Sequence, residues 1–161
     1  MPKPLEIQVG RFLQERGLKL VLAESCTGGL LGSRLTDVPG SSEYFLGGVV
    51  AYAYEAKVGL LGVSWDTLNT KGAVSRETVL EMARGIRRLM KAHIAVSVSG
   101  IAGPGGGTPD KPVGTTCIGL VAEEGEWARS FHFEEDREGN KMAAVDAALE
   151  FLLDYLQGKQ T

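Results

Sequence analysis

Leu18-Lys19-Leu20-Val21-Leu22-Ala23-Glu24-Ser25-Cys26-Thr27-Gly28-Gly29-Leu30-Leu31-Gly32-Ser33-Arg34-Leu35 is a strand handing over to a helix. The apolar run at its start predicts a buried strand over about 18–24, and the spacing that follows predicts a helix over about 27–37. Three candidate nucleophiles, Ser25, Cys26 and Thr27, stand at the junction, where the unpaired backbone N–H groups of a helix start favour negative charge. One reading is capping: Ser25 or Thr27 accepts a backbone N–H, and Gly28-Gly29 permits close packing. The other makes Ser25 Oγ a nucleophile, with N–H groups around Cys26, Thr27 and Gly28 holding an oxyanion. Cys26 is a second candidate nucleophile, because helix starts favour thiolates.

Outward from this junction, Leu5, Val9, Phe12 and Leu13 form a helical stripe within residues 4–16, and Gly17 ends it. Pro39-Gly40-Ser41-Ser42 is a turn. Residues 47–52 read as a second strand. Short helices follow at 55–61 and from Ser64, which acts as an N-cap; Ser75 caps a long helix to about Lys91. Residues 93–99 read as a third strand, 113–122 and 126–133 as an antiparallel hairpin, and 139–156 as a last helix. No repeat and no linker interrupts this order. It predicts an α/β fold: one domain over 1–161, a three-layer α/β/α sandwich with a mixed central sheet. Ligands of such sheets collect beyond the carboxyl ends of strands, where both Ser25 and the loop after Ser99 fall.

The whole chain narrows the classes open to it. Its 161 residues, 43% hydrophobic and 23% charged, are ordinary for a globular domain. A net charge of -3 with no basic stripe argues against nucleic acid as a partner. No apolar run is long enough to span a membrane, and Met1-Pro2-Lys3-Pro4 leads into a charged amphipathic helix rather than a signal peptide. Cys26 and Cys117 make no spacing motif, which fits a reducing cytoplasm better than a disulfide framework. His93 and His132 lie far apart; both read as structural, and neither a His-rich metal site nor a His-based triad finds its residues.

With histidine scarce, the base for Ser25 must come from elsewhere. Lys57 follows the apolar strand directly, and Tyr52, five residues earlier, is placed to relay a proton or orient the amine. A lysine acts as base only when desolvation or a cationic neighbour lowers its pKa; the competing reading is an exposed lysine pairing with Glu55. The loop Gly100–Pro112 is the third element. Gly103, Gly105, Gly106 and Gly107 let backbone N–H groups approach an anion, and Thr108 and Lys111 offer side-chain contacts to a phosphate or carboxylate. It lacks the Lys-Ser/Thr ending of a P-loop.

Taken together and in order, Ala23–Gly29, Pro39–Ser42, Gly48–Tyr52 with Glu55-Ala56-Lys57, Gly72–Ser75, Ser99–Pro104 and Lys111–Thr115 resemble the CinA carboxy-terminal domain family, the nicotinamide-nucleotide amidases. The resemblance covers nearly the whole chain. It implies an α/β/α amidohydrolase that converts nicotinamide mononucleotide to nicotinate mononucleotide and ammonia. Ser25 would be the nucleophile, Tyr52 and Lys57 its partners, and no metal or organic cofactor is implied. It also implies a homodimer or larger homo-oligomer, and at this length a stand-alone form without the larger domain that some relatives carry. Where the family reads Tyr-Ser-Asn-Glu-Ala-Lys, this chain has Ala53 and Tyr54. Near the C-terminus Arg137 keeps a family arginine, a candidate phosphate ligand, while Lys141 replaces a second one. These exchanges motivate an alternative: a nucleotide-binding module of the same family that keeps the pocket without the rate.

Overall fold

The computed structural model describes residues 2–159; Met1, Gln160 and Thr161, the ends of the expected 1–161 domain, lie outside the described residues. Strand β1 (Leu20–Glu24) is buried along its whole length, because it has parallel neighbours on both edges, β2 (Phe45–Val50) and β3 (Ile94–Gly100). β3 pairs antiparallel with β4 (Thr115–Ala122), and β4 with β5 (Gly125–His132), giving the order β2-β1-β3-β4-β5. The sheet is therefore mixed, as the sequence predicts.

The helices are α1 (Leu5–Arg16), α2 (Leu30–Thr36), α3 (Tyr54–Leu61), α4 (Trp65–Lys71), α5 (Arg76–Met90) and α6 (Arg137–Leu156). Period-two alternation divides the core between them. Leu20, Leu22, Ile94, Val96 and Val98 pack with α1, α2 and α6 on one face. Val21, Ala23 and Ala95 pack with α3, α4 and α5 on the other. Continued past β1, the alternation sends the Glu24 side chain toward α2 and that of Ser25 toward α3. Helix α3 lies close on α5 because Gly85 has no side chain: a Cβ there would fall 1.9 Å from the Leu61 carbonyl oxygen.

Several expected caps are present. Gly17 ends α1 in the left-handed region at φ 63°. Ser64 accepts the Asp66 and Thr67 N–H groups, and Ser75 accepts that of Thr78. Among the boundaries that differ, three bear on the site. The last helix begins at Arg137 rather than 139, capped by Asp136, which accepts the Gly139 N–H. The second strand runs over Phe45–Val50, so Ala51 and Tyr52 have already left the sheet. The second helix begins at Leu30, not Thr27: Gly28 and Gly29 take φ 59° and 102°, a left-handed turn that L side chains disfavour. Neither Ser25 nor Thr27 caps it. Among the described residues no helix is long and apolar enough to cross a membrane. Cys26 and Cys117 are unpaired thiols.

Candidate active site

Ser25 follows the last residue of β1, and its backbone N–H is fixed on the Val98 carbonyl of β3 at 2.9 Å. Its hydroxyl lies 2.8 Å from Lys57 Nζ. Lys57 sits on the inner side of α3 and is only 1% exposed. Its other partners are the carbonyl oxygens of Ala51 at 2.8 Å and Tyr52 at 3.0 Å. All three partners are neutral. Burial therefore acts largely uncompensated and pulls the amine from its ordinary 10.5 down to about 8, against a smaller opposing influence of Cys26. The solvated pairing with Glu55 does not form.

A neutral amine has two N–H bonds and one lone pair. Two carbonyls for the two donors leave the lone pair for the Ser25 hydroxyl, the arrangement a general base needs. Cys26 is a poor rival nucleophile: burial pushes its thiol up to about 11, so it stays protonated at neutral pH.

Helix α2 is capped from the other face of β1. The Glu24 carboxylate, 4% exposed, accepts the N–H groups of Leu31 and Gly32, each at 2.9 Å, and the Thr27 hydroxyl at 2.6 Å. The Gly28 N–H is bonded to the Ser25 carbonyl, and that of Leu30 to the Thr27 carbonyl. Gly28 is therefore removed from the expected oxyanion donors. Among the described residues the N–H groups of Cys26 and Thr27 have no backbone acceptor, and that of Cys26 lies against its own thiol.

The dyad opens into a cavity of about 260 Å³ lined by Ser25, Cys26, Lys57, Ser99, Gly103 and Arg137, among others. Arg137 closes one side, donating to the Gly103 carbonyl at 2.7 Å and to the Tyr52 hydroxyl at 3.3 Å. The Tyr52 phenol accepts from Arg137, and Ser25 and Lys57 meet directly without it. What orients the amine is the Tyr52 backbone carbonyl. Beyond Arg137 lies a wider cavity of about 860 Å³ that shares Ala102 and Arg137 and adds Leu30, Val113, Lys141 and Met142.

Of the glycine-rich loop, Gly103, Gly105 and Gly106 face the inner cavity, while Gly107, Thr108 and Lys111 do not. Thr108 Oγ1 accepts the Lys111 N–H, and Lys111 Nζ donates to the Lys71 carbonyl. Thr108 thus ties the loop to itself and Lys111 braces it against α4, and neither side chain lines the inner cavity. Gly107 packs so tightly that a Cβ would lie 2.7 Å from Val113 N.

Of the exchanged residues, Lys141 lines the wider cavity, while Ala53 and Tyr54 lie off both cavities. Ala53 is the N-cap of α3 without a capping side chain, and the Tyr54 ring packs near Trp65 with centroids 6.3 Å apart. His93 Nδ1 accepts the Lys19 N–H. Among the described residues no three His, Cys, Asp or Glu side chains gather where they could hold a metal ion.

Three site residues escape the sequence reading. Glu24 enters the sequence reading as the end of a strand and within the Ala23–Gly29 motif, with no role of its own. Ser99, 1% exposed, lines the cavity beside Ser25. Asn140 donates to the Ala102 carbonyl at 3.0 Å and accepts the Glu135 N–H at 3.0 Å, tying the start of α6 to the loop. Only a buried polar residue in an amphipathic helix would have marked Asn140.

A serine hydroxyl thus lies on a buried lysine amine beyond the carboxyl ends of parallel strands in an α/β/α sandwich. The chain belongs to the CinA C-terminal domain family, whose profile matches residues 2–156. It is 53% identical over 158 residues to a CinA-like protein of Chlorobaculum tepidum, covering 95% of this chain and 37% of that protein. It is 49% identical over 156 residues to one of Thermotoga maritima, covering 97% and 38%. The chain thus spans little more than a third of the length of these relatives.

Among solved structures it resembles the competence damage-inducible protein A of Klebsiella pneumoniae, with TM-score 0.93 and 38% identity over 97% of each chain. The competence/damage inducible protein CihA of Agrobacterium tumefaciens gives TM-score 0.90 and 40% identity over 98% of each.

Proposed function

We propose that the chain is an amidohydrolase that converts nicotinamide mononucleotide and water to nicotinate mononucleotide and ammonia through an acyl-enzyme. The observation that carries this reading is the 2.8 Å contact between Ser25 Oγ and Lys57 Nζ. Lys57, neutral, takes the Ser25 proton as Oγ attacks the carboxamide carbon. The carbonyl oxygen becomes an oxyanion, held by the N–H groups of Cys26 and Thr27; such a donor is worth about 3 kcal/mol. As the intermediate collapses, the Lys57 ammonium returns its proton to the departing nitrogen, and ammonia leaves. Lys57 then takes a proton from water, whose oxygen attacks the ester, and returns it to Ser25 Oγ as the nicotinate nucleotide leaves.

The cavities suit a substrate of this shape. The inner one, about 260 Å³, falls just below the usual size for a whole ligand and suits the pyridine ring with its carboxamide. The wider one beyond Arg137 has room for the ribose and phosphate, with Arg137 and Lys141 as its cations beside the carboxylates Glu135, Asp136 and Glu138. Incubating the protein with nicotinamide mononucleotide and following ammonia and nicotinate mononucleotide together tests the reading. Both form in equal amounts, and neither forms with Lys57→Ala. Tight binding with no turnover supports the non-catalytic module instead.

A further inference from the structure

Glu24 precedes the nucleophile in sequence, yet its side chain goes to the opposite face of the sheet. There it occupies the place a helix-capping hydroxyl would take, accepting the second and third N–H groups of α2. Had Ser25 or Thr27 capped the helix, the same hydroxyl that must face Lys57, or its neighbour, would have been spent on α2. The alternation of β1 separates the two tasks: Glu24 holds the helix, and Ser25 stays free for the base.

The carboxylate also fixes the turn between them. Its Oε1 takes the Thr27 hydroxyl at 2.6 Å as well as the Leu31 N–H. The left-handed Gly28 and Gly29 carry the chain round. Gly32 leaves room for the carboxylate, since a Cβ there would stand 3.3 Å from Glu24 Oε2. Every donor facing Glu24 is neutral, so the whole arrangement depends on its geometry. What emerges on the cavity side is Ser25-Cys26, followed by the buried Thr27, and the N–H groups of Cys26 and Thr27 meet no backbone acceptor.

We propose that Glu24 is a positioning residue: through Thr27 and the first turn of α2 it holds the Cys26 and Thr27 N–H groups in place as a preformed oxyanion site. The proposal rests on the reading of Ser25 as nucleophile. It joins the capping by Glu24, with the space Gly32 leaves for it, to the Thr27 contact and the Gly28-Gly29 turn in one arrangement.

The test uses Glu24→Gln, which keeps the shape but presents an NH2 where one of the three donors now points. With nicotinamide mononucleotide, kcat falls about 10- to 100-fold while KM stays within twofold. The pH midpoint of kcat/KM does not move, because the contacts of Lys57 are untouched. Thr27→Val lowers kcat likewise, and Thr27→Ser, which keeps the hydroxyl, restores it. Wild-type kcat in both Glu24→Gln and Thr27→Val overturns the proposal. So does a loss that Thr27→Ser shares fully and that follows the melting temperature.

A second arm dispenses with the nucleotide. A small alkyl fluorophosphonate reacts as Ser25 Oγ attacks phosphorus, fluoride leaves, and Lys57 takes the proton, while the phosphoryl oxygen occupies the oxyanion site. Intact-mass kinetics then show Glu24→Gln modified at least tenfold more slowly than wild type, even if the natural substrate is not nicotinamide mononucleotide. Equal rates overturn the positioning role and leave the amidase reading standing. No ammonia with intact phosphonylation overturns the amidase reading alone, and a wild-type Ser25 inert in both arms overturns both.

Discussion

Lys57 Nζ meets Ser25 Oγ at 2.8 Å while two backbone carbonyls, Ala51 and Tyr52, take its remaining hydrogens. No carboxylate holds the amine in its charged form, and burial works against that form. Lys57 is thus set to be a base near neutral pH. Ser25→Ala removes the atom it serves. Ammonia release from nicotinamide mononucleotide falls about 10⁴-fold or more, with the melting temperature within a few degrees of wild type.

The amine's shifted pKa sets the pH profile. Only the neutral form accepts the Ser25 proton, and its pKa in the free protein is about 8. kcat/KM therefore rises tenfold per pH unit below about 8 and levels off above it. A profile flat from pH 6 to 9 would contradict the role.

The same shift is a stability statement. The folded pKa, about 8, lies below the ordinary 10.5, so the unfolded chain binds more protons between these values. Unfolding free energy therefore rises with pH across that window, by an amount on the order of 3 kcal/mol, and the penalty of the buried charge is fully present below it. Lys57→Met lacks this slope. Urea melts of both proteins from pH 7 to 10.5 measure the difference directly.

Tyr52→Phe separates two ideas about Tyr52. Its phenol is on Arg137 and its backbone carbonyl is on Lys57. The substitution keeps kcat within about threefold, because the carbonyl is retained. Arg137→Ala instead raises KM about tenfold or more as the charge facing the phosphate is lost.

Two substitutions probe the support of Lys57. Ala53 is extended, at φ -85° and ψ 162°, and caps α3 without a side-chain acceptor. Ala53→Ser supplies one and adds about 1 kcal/mol of stability. Gly85→Ala drives a methyl into the Leu61 carbonyl at 1.9 Å, forces α3 off α5, and costs about 3 kcal/mol with a loss of activity. Chemical denaturation and the ammonia assay check both.

Much of this was legible in the residues. The apolar run at 18–22, the period-two pattern at 94–98 and the Ser64 and Ser75 caps fix the layers without tertiary information. Lys57 was legible by elimination, since histidine was scarce, and through the family resemblance, but nothing in Glu55-Ala56-Lys57 reveals burial. Glu24 was invisible because its role depends on a helix start three residues later than the pattern predicts. That displacement is made by Gly28 and Gly29, which the sequence offers equally as packing residues. Lys111 misled for the converse reason: a lysine in a glycine-rich loop reads as a ligand, and only the folded chain brings the Lys71 carbonyl to it.

The central claim is that Ser25, activated by Lys57, attacks the carboxamide. Acid quenching during turnover of nicotinamide mononucleotide, followed by peptide mapping, tests it most directly. The account predicts a nicotinoyl nucleotide ester on Ser25 in the wild-type protein, with neither ester nor ammonia from Ser25→Ala. Undiminished ammonia release by Ser25→Ala would contradict it.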